Sequence, residues 1–278
     1  MNIIIAKSAG FCWGVRRAVE KARKTANDSK CTIFTDGSLI HNAHMMKMLE
    51  EDGVRQSADP ATLPPGSTLL IRAHGISPER LAMLQSLPIN LVDATCPDVA
   101  RIQQMALEHA DKGETVLILG DPDHAEVIGL LGFAKDRGRV ITSPHDVEAL
   151  PAEISNVCLV SQSTQSMELF RQITQAVLKR FPEATILNTI CNATRNRQGE
   201  LEKLATLCDK FVVVGSSASA NTQRLAQIAA GLLDTVVVDS AAELKESDFE
   251  NVETVGITAG ASTPDFIIEQ VAERVKSF

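Results

Sequence analysis

Short apolar runs alternate with amphipathic stretches along the whole chain. Ile3-Ile4-Ile5 reads as a buried strand. Val15 to Ala26 then carries Val15, Ala18, Val19 and Ala22 on one side and Arg16, Arg17, Glu20, Lys21 and Arg23 on the other, the period of a helix. The same reading predicts strands over 2–6, 32–35, 68–72, 90–93, 115–119, 138–141, 157–160, 185–187, 211–214, 235–238 and 254–258. Helices are expected near 13–26, 42–51, 78–86, 97–111, 124–133, 146–150, 166–180, 193–207, 220–231, 241–245 and 264–276. Strands that alternate with helices in this way make an α/β fold with mostly parallel strands.

The junctions between these elements repeat. Cys12 (in Gly10-Phe11-Cys12-Trp13-Gly14-Val15), Cys96 (in Asp93-Ala94-Thr95-Cys96-Pro97) and Cys191 (in Thr189-Ile190-Cys191-Asn192) each stand where a strand hands over to a helix. Backbone N–H groups and the helix dipole favour a negative sulfur at such a place. A polar loop follows each Cys: His41 lies 29 positions after Cys12, His124 lies 28 after Cys96, and Ser219 lies 28 after Cys191, with Asn221 two further on. A third loop type recurs at His74 in Ala73-His74-Gly75, at Ser163 in Gln162-Ser163-Thr164, and at Ser262 in Gly260-Ala261-Ser262. Three modules of this kind, 1–96, 97–191 and 192–278, predict three α/β units about a pseudo-threefold axis, with loops at the carboxyl ends of strands where such sheets bind ligands.

Composition narrows the chemistry. The 278 residues are 44% hydrophobic and carry a formal net charge of −8 without a basic run, which argues against nucleic acid as the main partner. No stretch approaches the roughly 20 apolar residues of a membrane span, and the N-terminus has no leader pattern, so a soluble cytoplasmic protein is expected. Six Cys in so long a chain do not make a disulfide scaffold, and metal binding or catalysis is the better use for a functional thiol.

Three thiolates from three modules suit an iron–sulfur cluster in which one iron keeps an open position; catalytic zinc with mixed ligands is the alternative. A zinc hydrolase of phosphorylated metabolites and an iron–sulfur electron carrier are the rival functions. His41, His74 and His124, with Ser219, Asn221 and Ser262, form a set of hydrogen-bond donors suited to phosphate or diphosphate. Glu126 is the candidate proton relay, its pKa raised by an apolar surround. The remaining thiols are read as packing residues: Cys158 within a strand, Cys208 after a helix, and Cys31, which repeats in no other module. His44, His109 and His145 are expected in solvent.

Taken together, Gly10-Phe11-Cys12-Trp13-Gly14-Val15, Leu39-Ile40-His41-Asn42, Ala73-His74-Gly75, Asp93-Ala94-Thr95-Cys96-Pro97, Ile190-Cys191 with Asn196-Arg197-Gln198, and Thr258-Ala259-Gly260-Ala261-Ser262 resemble the motifs of the LytB family of 4-hydroxy-3-methylbut-2-enyl diphosphate reductases. The resemblance runs nearly the length of the chain. It implies a trefoil of three α/β units around a central 4Fe–4S cluster held by Cys12, Cys96 and Cys191, one iron lacking a protein thiolate. It implies reductive removal of the allylic hydroxyl to give isopentenyl and dimethylallyl diphosphates, with a ferredoxin or flavodoxin as electron donor. Diphosphate binding by His41, His74, His124, Ser219, Asn221 and Ser262 is implied as well, with Ser163 and Thr164 near the substrate alcohol. Glu126, Ser163 and His124 would be the catalytic residues.

Four departures stand out. Gln162-Ser163-Thr164 replaces the family's usual Gln-Thr-Thr, keeping the hydroxyl but losing the methyl that limits its rotamers. His124-Ala125-Glu126 replaces His-Pro-Glu and keeps both functional groups. Ala220 stands where Ser or Gly is frequent, and Arg195 stands where the family's Ala-Thr-Thr-Asn-Arg-Gln has its second Thr.

Overall fold

The computed structural model describes residues 1–29 and 32–278; Cys31 lies outside the described residues. Twelve strands and ten α-helices occur among the described residues. The chain divides into two compact units.

One unit comprises Met1–Arg16, Ile40–Met48 and Asn192–Phe278. Its four-stranded parallel sheet has the order β1 (Asn2–Ile5), β12 (Thr254–Ala259), β10 (Lys210–Val214), β11 (Asp234–Val238). Phe211-Val212-Val213-Val214 is apolar throughout because both faces of this inner strand are covered. Val212 and Val214 pack toward α10 (Asp265–Lys276), whose Ile267, Ile268, Val271 and Val275 recur at helical spacing. Phe211 and Val213 face Leu201 and Leu204 of α8 (Asn192–Leu204) and Leu225 of α9 (Ala220–Ala230). Truncating the fully buried Phe211 to Ala would cost about 3–5 kcal/mol.

The other unit comprises Arg17–Leu39 and Leu49–Cys191 and holds two sheets. The first has the order β3 (Val54–Ser57), β2 (Ile33–Asp36), β4 (Thr68–Ile71), β5 (Asn90–Asp93). The second has the order β7 (Gly138–Ile141), β6 (Thr115–Leu119), β8 (Val157–Ser161), β9 (Thr185–Ile186). Val116, Ile118 and Val160 pack against α4 (Pro97–Asp111) and α5 (Ala125–Ala134) on one face, and Leu117, Leu119 and Leu159 against α7 (Met167–Arg180) on the other.

All pairings within the three sheets are parallel, and each sheet has the same order. The first strand of each set lies inside, the second takes an edge, and the third lies on the other side of the first. β1 occupies in its sheet the place that β5 and β9 occupy in theirs. The first strand of segment 1–96 thus closes the sheet of segment 192–278, through a register of Ile3 with Val255 and Ile5 with Ile257. Residues on both sides of position 96 lie in one compact unit.

Local differences from the sequence reading have simple causes. β3 was not expected: Val54-Arg55-Gln56-Ser57 is an edge strand with only its end residues buried, so it lacks an apolar run. Residues 241–245 form a single 3₁₀ turn, Ala241–Glu243, where a helix was expected. His109 is buried, not solvated. It sits in the last turn of α4 and its Nδ1 lies 2.9 Å from Glu114 Oε2, an acceptor that removes the need for water. His44 and His145 are exposed, as expected. Cys158 is fully buried on β8, and burial pushes its thiol up to about 12, so it is an inert packing residue. Cys208 is buried against Phe211, Leu201 and Leu204.

Candidate functional site

The three expected ligand thiols take the same local position. Cys12 directly precedes α1 (Trp13–Ser29), Cys96 is the residue before α4 with Pro97 in its first turn, and Cys191 directly precedes α8. All three are partly accessible, whereas Cys158 and Cys208 are buried. Amide N–H groups at a helix start turn toward such a sulfur, and the Val15 N–H donates to Cys12 Sγ at 3.4 Å. Gly10 has φ +93°, and a Cβ there would meet Asp265 Oδ1 at 2.6 Å, so the turn into Cys12 requires glycine.

In the first unit, backbone bonds bring the expected loops together. The Cys12 N–H donates to Ala261 O at 3.1 Å, and the neighbouring Ser262 Oγ donates to His41 O at 3.0 Å. Ser219 caps α9 by accepting from the Thr222 N–H, and Asn221 lies in the first turn of that helix. Asn221 is buried, and its Nδ2 has no hydrogen-bond partner. The Asn42 Nδ2 is in the same condition, while its Oδ1 accepts from the Met45 N–H at the start of α2 (Ala43–Glu51). Orphaned buried donors are costly unless a ligand meets them.

A continuous path of contacts links the loops of the second unit. The Cys96 N–H donates to Ala73 O at 2.9 Å, which fixes the Cys96 loop to the residue before His74. The His74 and His124 rings stand edge to face with centroids 5.4 Å apart. His124 precedes α5, and its Nδ1 accepts from the Glu126 N–H at 3.2 Å; a neutral ring then carries its proton on Nε2. Glu126 accepts twice from Ser163: Oε1 from the backbone N–H at 2.6 Å and Oε2 from the hydroxyl at 2.8 Å. Ser163 O in turn accepts from the Cys191 N–H at 3.0 Å. Thr164 accepts from Gln162 Nε2 at 3.1 Å.

Glu126 is 2% exposed. Burial raises its pKa, the two Ser163 bonds oppose that, and the charge of Asp98 adds to it, which leaves the carboxyl at about 7. An acid of this kind is divided between its two forms near neutral pH, the condition for a group that gives and recovers a proton.

Some contributors were not foreseen. Arg197, 3% exposed on α8, donates to Gly10 O and to Ala193 O. Glu200, one turn later on the same helix, accepts from the Lys7 and Ser8 N–H groups. The available signal was an Arg and a Glu three residues apart, which share one face of a helix. Gln162 joins two loops by accepting from the Asp121 N–H at 3.0 Å. Arg195 is exposed at its bond to Asn192 Oδ1, and nothing else in the structure explains it.

Comparisons with known proteins agree with one another. A 4-hydroxy-3-methylbut-2-enyl diphosphate reductase of Opitutus terrae is 43% identical over the full length of both chains. One of Aquifex aeolicus is 38% identical, covering 99% of this chain and 96% of its own. Among solved structures, the E-1-hydroxy-2-methyl-but-2-enyl-4-diphosphate reductase of Plasmodium falciparum superposes with a TM-score of 0.93 at 30% identity, covering 98% of this chain and 87% of its own. A second structure, of an (E)-4-hydroxy-3-methyl-but-2-enyl diphosphate reductase described as the terminal enzyme of the non-mevalonate pathway, gives 0.73 at 38% identity, covering 100% and 99%. With the LytB protein profile matching residues 3–276 as well, the chain belongs to the LytB family.

Proposed function

We propose that this chain is an iron–sulfur 4-hydroxy-3-methylbut-2-enyl diphosphate reductase, forming isopentenyl and dimethylallyl diphosphates by reductive loss of the allylic hydroxyl. The observation that carries the reading is Glu126. A buried carboxyl near neutral pKa, gripped by Ser163 and one residue beyond the His124–Ala125 step, suits proton delivery to a leaving hydroxyl.

The donor set fits a 4Fe–4S cluster. Cys12, Cys96 and Cys191 are partly accessible, soft ligands at helix starts, and the two buried thiols lack that setting. Such a cluster, when bound, supplies electrons and one iron without a protein thiolate for the substrate oxygen.

The protein's own residues do the rest. Diphosphate recognition is assigned to His41, Ser219, Asn221 and Ser262 in one unit and to His74 and His124 in the other. The buried Asn221 Nδ2 without a partner is a donor held ready for an oxyanion. The Ser163 hydroxyl, already donating to Glu126 Oε2, orients the substrate alcohol with Thr164 beside it. Glu126 then transfers its proton from a carboxyl oxygen to the departing hydroxyl, which leaves as water; the balance requires two electrons, which the cluster would supply, and a second proton at carbon.

Among the described residues no helix is long and apolar enough to cross a membrane, and a cytoplasmic enzyme served by a ferredoxin or flavodoxin accords with the reading. The test is anaerobic purification followed by assay. A brown protein with iron and sulfide that oxidises a reduced dye only with substrate present, yielding the two isoprenoid diphosphates, is expected. A colourless zinc protein, or a brown one that oxidises no dye with substrate, overturns it.

A further inference from the structure

A cleft of about 400 Å³ opens in the second unit, at the carboxyl ends of β2 and β4. β2 ends at Asp36 and β4 at Ile71, so Asp36 and Arg72 face it from adjacent strands. Arg80, in the first turns of α3 (Pro78–Gln85), reaches across to Asp36: Nη2 to Oδ1 at 2.6 Å and Nε to Oδ2 at 3.3 Å. Both carboxylate oxygens are thereby engaged by one guanidinium. Arg72 remains, with an Nε that is buried and has no hydrogen-bond partner. Burial lowers the Arg72 pKa, Asp36 opposes that, and Arg80 adds to it, the balance expected when one carboxylate serves two cations. Asp59 also acts on Arg80, but it is exposed and its Oδ1 accepts from the Ala61 N–H.

The rest of the lining is in keeping with an anion. Ser77, which caps α3, and Ala125, the first residue of α5, bring two helix starts to the cleft. Gly37 has φ +80°, and a Cβ there would lie 3.1 Å from Arg72 Nη1, so glycine keeps this approach open. The lining also includes apolar Pro60, Ile76 and Ile128, the last 51% exposed.

We propose that this cleft is a second anion site that takes a diphosphate group on Arg72 and Arg80. Two sources share that chemistry: inorganic pyrophosphate, and a prenyl diphosphate whose short chain lies on Ile76 and Ile128. The cleft volume is within the range of small-molecule sites. A ligand there touches Ile76, two residues after His74, and Ala125, between His124 and Glu126.

The test is calorimetric titration of the purified protein with inorganic pyrophosphate and, separately, with dimethylallyl diphosphate. Two classes of site are expected. Arg72→Gln weakens one of them at least tenfold and leaves the other unchanged. Because Ile128 is half-exposed, Ile128→Glu and Ile128→Lys preserve the fold, and they weaken and tighten the same class respectively. Tighter binding of dimethylallyl diphosphate at that class assigns the prenyl source; equal binding assigns pyrophosphate. A single class whose affinity is the same in wild type and all three variants overturns the proposal. Binding is read without turnover, so this result is independent of the reductase assay.

Discussion

Glu126 and Ser163 are 37 residues apart in sequence and share two hydrogen bonds, both donated by Ser163, one from its backbone and one from its hydroxyl. The backbone bond survives any side-chain change at Ser163 except to proline, which has no N–H. The hydroxyl bond is the part that chemistry can use, since it aligns the carboxyl and can turn to a substrate oxygen. Glu126→Gln keeps an acceptor for the Ser163 N–H but cannot release a proton. Turnover is expected to fall by roughly two to four orders of magnitude, with iron and sulfide content unchanged. Near-normal turnover in an iron-replete variant would remove Glu126 from the mechanism.

The raised pKa of Glu126 also sets a pH dependence of stability. Burial holds the carboxyl at about 7 in the folded chain, against an ordinary value of 4.5. Between those values the folded chain keeps a proton that the unfolded chain releases, so stability falls as pH rises. The contribution is complete below about pH 4.5 and lost as pH passes through about 7, and it spans about 3 kcal/mol. Urea unfolding of the metal-free chain at pH 5 and pH 8 checks this: wild type should lose about 2–3 kcal/mol more than Glu126→Gln, since part of the contribution is already gone at pH 5. Equal losses would show that burial does not hold the proton. In the role proposed for Glu126 the protonated form is the donor, so kcat should decline above about pH 7.

Much of this site was legible because its signals are local. An apolar run, a short loop that ends in Cys, and then an amphipathic stretch place Cys12, Cys96 and Cys191 at helix starts, and the structure has them there. What escaped is what depends on partners distant in sequence. Nothing near Asn2–Ile5 reveals that this strand pairs with Thr254–Ala259. His109 resembles any polar residue late in a helix until Glu114, beyond the following turn, is seen to accept its proton. The edge strand Val54–Ser57 is invisible to a search for apolar runs, since an edge has one neighbour and buries little.

Asn221 offers a test in which stability and function separate. Its Nδ2 is buried without a partner, so Asn221→Ala removes a desolvated donor and no protein hydrogen bond from that nitrogen. The ligand-free protein should melt at an unchanged or higher temperature. If the nitrogen serves a diphosphate, KM should rise at least tenfold, the scale of about 1.4 kcal/mol for one lost hydrogen bond to a charged group. A large fall in melting temperature with KM unaltered would make Asn221 a structural residue instead.

Arg197 makes the opposite prediction, because both its Nη1 and its Nη2 donate to protein carbonyls. Its guanidinium donates to Gly10 O, two residues before Cys12, and to Ala193 O in the first turn of α8. Gly10 already holds a positive φ, and its carbonyl is directed by that turn. Arg197→Met fills similar space but leaves the Gly10 carbonyl without this donor, a cost of about 1–3 kcal/mol. The melting temperature should drop, and anaerobic reconstitution should give less iron per chain, since the Cys12 loop is no longer held. Arg197→Lys should restore part of both by donating to one carbonyl. A variant with lowered melting temperature but full iron content and an unchanged cluster spectrum would show that Arg197 supports the fold without positioning Cys12.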